Sequence, residues 1–134
     1  MNFYRGKQMQ SGTAVSRGES DLYAMLKAAE RQRVVPPFMT DQWVTLLATK
    51  PDYLWPDLAV YLDGPHHDRD AQALKDDVQN RYLTERGWNV LRIHYAKKPN
   101  TLKHYLVLEW IMAALDDGRT GKLWEHWLDE EAAP

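Results

Sequence analysis

The segment from Pro51 to His67, with the sequence PDYLWPDLAVYLDGPHH, constrains the fold more than any other part of the chain. A two-residue turn at Pro56 and Asp57 separates two short runs of apolar residues, which predicts a tight β-hairpin. In this register Trp55 faces Leu58. The second arm is the longer of the two and ends at an acid followed by glycine.

The same register predicts that two acids share one face of the hairpin. Asp52 falls opposite Tyr61, and Asp63 lies on the same face as Tyr61 because side chains alternate along a strand. Diagonal neighbours on a strand pair are about 7–8 Å apart at Cα, so the two carboxylates are close enough to share a divalent metal. Like charges held together are costly unless a cation or a hydrogen-bond network compensates them.

The composition sets outer limits on the class of protein. A chain of 134 residues, 44% of them hydrophobic, is expected to form one domain with one packed core. It contains no cysteine, which excludes disulfides and thiolate metal sites and fits a reducing cytoplasm. No signal peptide and no apolar run of about 20 residues are found, so no membrane association is expected. A net charge of −2 does not exclude a nucleic-acid partner.

The rest of the chain predicts an α/β domain of the α+β sandwich type, with a mixed central sheet flanked by helices. Residues 1–18 are interpreted as a flexible basic arm and residues 19–134 as a single domain. Helices are predicted over 19–32, 70–86 and 100–115, with a short last helix over 123–128; strands are predicted over 42–48, 52–55, 58–63 and 88–94. The main elements therefore follow the order α-β-β-β-α-β-α. In the second helix the apolar positions are Ala73, Leu74, Val78, Tyr82 and Leu83, with Gly87 as the C-cap.

Three further residues are candidates for a site around the two acids. His67 follows the turn at Gly64 and Pro65, and a histidine is the usual general acid or base near neutral pH. Asp76 on the next helix would orient His67 through its ring N–H. Glu19 opens the first helix and would complete an acidic cleft. Carboxylates suit Mg²⁺, which prefers oxygen ligands and polarises phosphodiesters.

Each candidate also has a simpler interpretation. Asp52 and the Asp63-Gly64 pair fit ordinary turn chemistry, the segment 66–68 fits a solvated loop, and Glu19 fits a helix N-terminal charge. Four tryptophans, Trp88, Trp110, Trp124 and Trp127, are interpreted as packing residues rather than base-stacking platforms.

The stretch PDYLWP…VYLDGPHH, followed by a helix carrying Asp76 and then by GWNVLRI, resembles the very-short-patch-repair endonucleases of the PD-(D/E)XK (restriction endonuclease-like) superfamily. It is also similar to the related EDxHD homing endonucleases and to small phage and bacterial proteins of that clan. The resemblance spans residues 19–94. It implies a restriction endonuclease-like core, whose element order agrees with the order predicted above.

The resemblance also implies roles for individual residues. Asp52 matches the metal-binding aspartate, with the Leu62 carbonyl as a second metal contact, and Asp63 matches the variable position before glycine. His67 matches the histidine after that glycine, with His66 as its rival, just as Asp57 is a rival of Asp52. Asp76 matches the last acid and Glu19 the first-helix glutamate. Unlike the superfamily pattern, no lysine follows the hairpin acid, and the aromatic wedge of the repair enzymes has no counterpart in this segment.

These observations favour a Mg²⁺-dependent DNA endonuclease, with Mn²⁺ as a substitute metal. Asp52 and Asp63 would hold the metal and His67 would transfer the proton. Basic residues of the second helix and the loop before it would contact DNA phosphates: Arg69, Lys75, Arg81 and Arg86. Cleavage of both strands would require a homodimer or two binding events, and targeting would require low specificity or a partner protein. Two alternatives remain: a non-catalytic nucleic-acid-binding or assembly module, and a Zn²⁺-binding protein that uses the histidines and the acid of the segment 66–68.

Overall fold

The structure, a computed structural model, describes residues 17–42, 49–64, 69–95 and 102–128 of the chain. Within these ranges three helices and four strands follow the order α-β-β-α-β-α-β. They are α1 (Arg17–Arg31), β1 (Tyr53–Leu54), β2 (Leu58–Asp63), α2 (Arg69–Glu85), β3 (Asn89–His94), α3 (His104–Asp116) and β4 (Leu123–Trp127).

The strands form one mixed sheet in the order β1-β2-β3-β4. β1 is antiparallel to β2, whereas β2, β3 and β4 are parallel to one another. Strand β2 is buried along nearly its whole length, as expected for a parallel strand covered on both faces. The prediction of a mixed central sheet flanked by helices is confirmed.

The predicted hairpin is confirmed in its register. Trp55 and Leu58 exchange backbone hydrogen bonds across the Pro56-Asp57 turn, at 2.9 and 3.3 Å. Tyr53 pairs with Val60, so Asp52 lies opposite the residue after Val60. The turn chemistry of the sequence is local, and it therefore specifies this register without help from the rest of the fold.

Two apolar clusters hold the helices on opposite faces of the sheet. On one face, Leu22 and Leu26 of α1 and Ile111 of α3 pack against Val60 and Leu91. Leu22 and Leu26 are four residues apart and therefore share the face of α1 that joins this cluster. On the other face, the apolar cluster is small: Leu83 of α2 packs with the strand residues Leu54, Ala59, Tyr61 and Val90.

The predicted apolar face of the second helix is wrong for most of its length. Leu74 and Val78 are 65% and 57% exposed, and Ala73 is also exposed. The helix instead turns Asp76 and Asn80 towards the sheet, where both are buried. The physical reason is a buried arginine on β3 that needs polar partners, as described below. The helix ends at Glu85, and Gly87 just beyond it has the positive φ of 92° that the predicted C-cap requires.

The prediction of a short last helix over residues 123–128 is also wrong. The segment forms β4, which pairs with β3 in parallel through five residue pairs. Flanking backbone hydrogen bonds extend this ladder: Val90 N–H donates to Lys122, and Leu128 N–H donates to His94. The backbone N–H and C=O groups along the open side of β3 require hydrogen-bond partners. Pairing with this distant strand overrides the local helical spacing of the segment.

Several predictions fall on residues outside the described ranges. They concern the arm up to residue 16, nearly all of the strand over 42–48, and the start of the third helix near Asn100. Within the described part, α1 begins at Arg17, two residues before the predicted domain start, and α3 begins at His104. Among these residues no helix has the length and apolar character required to cross a membrane.

Candidate active site

Acidic and aromatic residues gather at one edge of the sheet, which we call the carboxyl edge. It is formed by the carboxyl ends of the three parallel strands, where Asp63, His94 and Trp127 lie side by side in register. Because β1 runs in the opposite direction, its amino end and the preceding Asp52 reach the same edge. Ligands of open α/β sheets bind in crevices outside the carboxyl ends of the strands.

Asp52 has the most strongly perturbed carboxyl group of this edge. Its Oδ2 accepts a hydrogen bond of 2.8 Å from the backbone N–H of Leu62. Loss of hydration raises the pKa of Asp52 from 3.8 to about 7; the Leu62 hydrogen bond opposes this rise, and the charges of Glu19 and Asp63 add to it. The residue nevertheless keeps an exposed surface. An exposed residue whose carboxyl group is crowded by protein lies at the surface of the carboxyl edge and not in the core.

Glu19 approaches Asp52 from the first turn of α1. It is half-buried, and its carboxylate accepts a hydrogen bond from the hydroxyl of Tyr95, the residue that follows β3. Desolvation raises the pKa of Glu19, and the hydrogen bond from Tyr95 opposes this shift. Of the three acids that the sequence placed in one cleft, Glu19 and Asp63 both lie near enough to Asp52 for their charges to raise its pKa.

Asp63 is held by a buried arginine on the neighbouring strand. Nη1 of Arg92 lies 3.3 Å from Oδ1 and 3.2 Å from Oδ2 of Asp63. The arginine side chain is 2% exposed, and its guanidinium also lies over the ring of Tyr61 at 4.2 Å. Burial raises the pKa of Asp63, and the charge of Arg92 opposes that rise. The negative charge of Asp63 is thus compensated by a cation of the protein itself.

The same arginine explains the polar inner face of α2. Its Nε donates to Oδ1 of Asn80, its Nη2 donates to Gln79, and its Nη1 lies 3.6 Å from Asp76. Asp76 also accepts a 2.8 Å hydrogen bond from Gln72. A buried guanidinium has five N–H donors to satisfy, so this part of α2 presents amides and an acid to the sheet and leaves Leu74 and Val78 outside.

His94 extends this network to the edge strand β4. Its Nε2 lies 2.7 Å from Oε2 of Glu125, and its Nδ1 faces Oδ2 of Asp63 at 3.8 Å. Its ring is stacked on Trp127, with the ring centroids 4.8 Å apart and the planes 12° from parallel. His94 therefore connects the hairpin acid to an aromatic side chain at the outer strand.

The remaining sequence candidates have mixed outcomes. His66 and His67 lie outside the described residues, so the orientation of His67 by Asp76 stays a prediction. Asp57 is in the hairpin turn, just before the first residue of β2, whereas Asp63 is the last residue of that strand. The carbonyl of Asp57 accepts a hydrogen bond from the N–H of Asn89. The two alternatives for the metal-binding aspartate therefore lie at opposite ends of the hairpin, and Asp52 is the one at the carboxyl edge.

The predicted phosphate-binding residues are exposed where their side chains are described. They are Lys75, Arg81 and Arg86. Arg81 lies 3.6 Å from Asp77, and the guanidinium of Arg86 lies 3.4 Å from the ring centroid of Tyr82. The side chain of Arg69 lies outside the described set. Arg69, Lys75 and Arg81 belong to α2, and Arg86 follows its last residue, Glu85. Contact of these residues with DNA phosphates stays a prediction.

The donor chemistry at the carboxyl edge fits a small hard cation. Asp52 and Asp63 both carry oxygen donors, and the charges of Asp63 and Glu19 help raise the pKa of Asp52. Within the described ranges no three of the His, Cys, Asp and Glu residues are grouped in a way that would hold a metal ion. Mg²⁺ does not require such a group, because it keeps several waters and usually takes one or two carboxylates plus substrate phosphates.

Four residues of this edge were not identified from the sequence: Arg92, His94, Tyr95 and Glu125. One local signal was present, since Arg92 is a charged residue in the middle of the apolar strand sequence NVLRIH. A charge at such a position is rarely buried unless it is paired, which points to acidic partners elsewhere in the chain.

Comparison with known proteins finds no matching family model, no matching curated protein and no matching solved structure.

Proposed function

We propose that this protein is a Mg²⁺-dependent DNA endonuclease, with its active site at the carboxyl edge. The observation that carries the proposal is the position of Glu19 and Asp63 near Asp52: burial raises the pKa of Asp52 to about 7, and the charges of Glu19 and Asp63 add to that rise. A fold tolerates such repulsion at a functional site, where a cation relieves it.

In the proposed mechanism Asp52 and Asp63 would hold the metal, and Glu19 would complete the acidic cleft. The bound Mg²⁺ would polarise the scissile phosphodiester and lower the pKa of a water nucleophile. Asp52 is oriented by the Leu62 N–H. Arg92 orients Asp63 and supplies a positive charge beside it. The hairpin acid therefore has a cation near it, although this chain lacks the lysine of the superfamily pattern. His67 is the proposed proton carrier, and the individual basic residues Arg69, Lys75, Arg81 and Arg86 would contact DNA phosphates.

The direct test is nicking or cutting of supercoiled plasmid in Mg²⁺ or Mn²⁺. We expect Asp52→Asn to lose activity by more than the roughly 10–100-fold that is typical for supporting partners of a metal site, because Asp52 would be a direct ligand. Asp57→Asn is the matched control, since it changes an acid of the same hairpin at the opposite end. Full activity of Asp52→Asn would refute the proposal.

One observation favours a second candidate function, a nucleic-acid-binding or assembly module without catalysis. Asp63 is already paired with Arg92, so its carboxylate would have to exchange or share that partner to bind a metal. This candidate predicts DNA binding that is unaffected by EDTA, with no cleavage of plasmid or oligonucleotides. Metal-dependent cleavage that is lost in Asp52→Asn would exclude it.

A further inference from the structure

Trp127 occupies a position that a packing role alone does not explain. It is the last residue of β4, and 38% of its surface is exposed, whereas Trp55 in the core is fully buried. Strand β4 is the outer strand of the sheet among the described residues. An indole of this size therefore lies at the border of the carboxyl edge, in contact with solvent.

The indole of Trp127 is held in place by the ring of His94. Its ring stacks on His94 at 4.8 Å, and His94 is itself fixed by the 2.7 Å contact of its Nε2 with Glu125. The other ring nitrogen of His94 faces Asp63 at 3.8 Å. These contacts connect Trp127 through His94 to Glu125 and Asp63. Trp127 is therefore a preorganised aromatic surface at a defined position relative to the candidate metal site.

The other residues of β4 differ from Trp127 either in the face they occupy or in their distance from the carboxyl edge. Trp124 and His126 alternate to the opposite face, where the ring of His126 stacks on Trp110 of α3 at 3.9 Å. Leu123 shares the face of Trp127 and is equally exposed, at 39%, but it lies at the amino end of the strand. The strand thus carries two exposed apolar residues on one face, and only Trp127 is at the carboxyl edge.

We propose that Trp127, supported by His94, is a stacking platform for an unpaired nucleobase of the substrate. This inference rests on the proposed function and specifies its substrate class: a strand with at least one unstacked base next to the scissile phosphate, as in single strands and overhangs. Bases inside a blunt duplex have both faces covered by their neighbours and would not reach the indole. Stacking of a base on an aromatic side chain tolerates any base, because every base has a π-face.

The test is equilibrium binding of the full-length protein to a fluorescein-labelled single-stranded oligothymidylate and to a blunt duplex of equal length. Binding is measured by fluorescence anisotropy in Ca²⁺ and again in EDTA, so that cleavage does not interfere. We expect the single strand to bind more tightly than the duplex. Trp127→Ala should weaken single-strand binding roughly 5- to 100-fold, Trp127→Phe should retain most of it, and Leu123→Ala should match the wild type.

Wild-type affinity in Trp127→Ala, or tighter binding of the blunt duplex, would overturn the inference. A measurement on the unsubstituted protein covers the case in which Trp127→Ala does not fold. In 5-fluorotryptophan-labelled protein, the ¹⁹F resonance of Trp127, assigned with Trp127→Phe, should shift on saturation with the oligothymidylate, whereas that of the buried Trp55 should not. A Trp127 resonance that stays unshifted at saturation would equally overturn it.

These results are independent of the fate of the proposed nuclease activity. If single-strand binding depends on Trp127 but no substrate is cleaved, the platform stands and the catalytic proposal fails. If plasmid is cleaved through Asp52 but Trp127→Ala binds and cleaves as the wild type does, the catalytic proposal stands and the platform fails.

Discussion

Nη1 of Arg92 lies 3.2 Å from Oδ2 of Asp63, and the two side chains are only 2% and 14% exposed. This pair joins β3 to the end of the hairpin strand β2 and is extended by Asp76 and Asn80 of α2. It is therefore both the main polar contact under α2 and the support of an acid at the candidate active site.

Removal of the guanidinium should destabilise the protein strongly. Arg92→Met leaves Asp63 and Asp76 without their buried cation, and breaking a buried pair in this way costs about 3–5 kcal/mol. Arg92→Lys should cost less because it keeps the charge, although it loses the planar fork that reaches several partners at once. Urea denaturation followed by circular dichroism measures both. An Arg92→Met variant as stable as the wild type would show that the network does not hold α2 on the sheet.

Asp52→Asn should stabilise the protein in a pH-dependent manner. The pKa of Asp52 is raised from 3.8 to about 7 in the folded state, so the folded state binds this proton more tightly than the unfolded state does. The stability that this provides is complete below the unfolded pKa and is lost as pH rises through the folded pKa. The difference between the melting temperatures of Asp52→Asn and the wild type should therefore grow, in favour of the variant, as the pH rises from about 4 to 7. Above about pH 7 this difference should stay constant. A constant difference across the range from about pH 4 to 7 would contradict the assignment.

The face that α2 turns to the sheet can be tested with two identical substitutions on one helix. Leu83 is fully buried, so Leu83→Ala should cost about 2–5 kcal/mol. Leu74 is 65% exposed, so Leu74→Ala should change stability by no more than about 0.5 kcal/mol. The free energy of unfolding in urea gives both values. Equal costs would mean that α2 packs on the apolar side that the sequence pattern suggested.

The approach of α2 to the segment before β4 depends on Gly121. A Cβ at Gly121 would lie 2.8 Å from the carbonyl oxygen of Thr84, and the residue has a φ of 71°. Gly118 has a similar φ of 79° but nothing within 4 Å of its Cβ position. Both alanine variants should pay the backbone strain of about 1–3 kcal/mol, and Gly121→Ala should be less stable than Gly118→Ala in urea. If the two variants unfold alike, the close approach to Thr84 is absent.

The hairpin shows what the sequence could specify by itself. Its turn residues are adjacent in the chain, and the strand that follows is a continuous run of β-forming and apolar residues, so its register and its end at Asp63 were predictable from local chemistry. The placement of Asp52 and Asp63 at one end of the hairpin followed from the same register, whereas Glu19 was a candidate from its position at the start of the first helix and from the family resemblance.

The inner face of α2 and the identity of β4 were not predictable in this way. Which side of α2 faces the sheet depends on Arg92, which lies beyond the helix in sequence and on another element. The last segment forms a strand because the open side of β3 requires hydrogen-bond partners. Roles for His94 and Glu125 arise only once these two strands pair, so they follow from long-range topology rather than from local spacing.

Metal binding at Asp52 tests the central claim most directly. We expect a crystal of the protein grown in Mn²⁺ to show an anomalous difference peak about 2.0–2.4 Å from a carboxylate oxygen of Asp52, with Asp63 contributing a second ligand, directly or through water. The peak should disappear in Asp52→Asn crystals grown in the same way. Crystals of the wild type with saturating Mn²⁺ but no peak at Asp52, and with Asp63 still paired only with Arg92, would contradict the account.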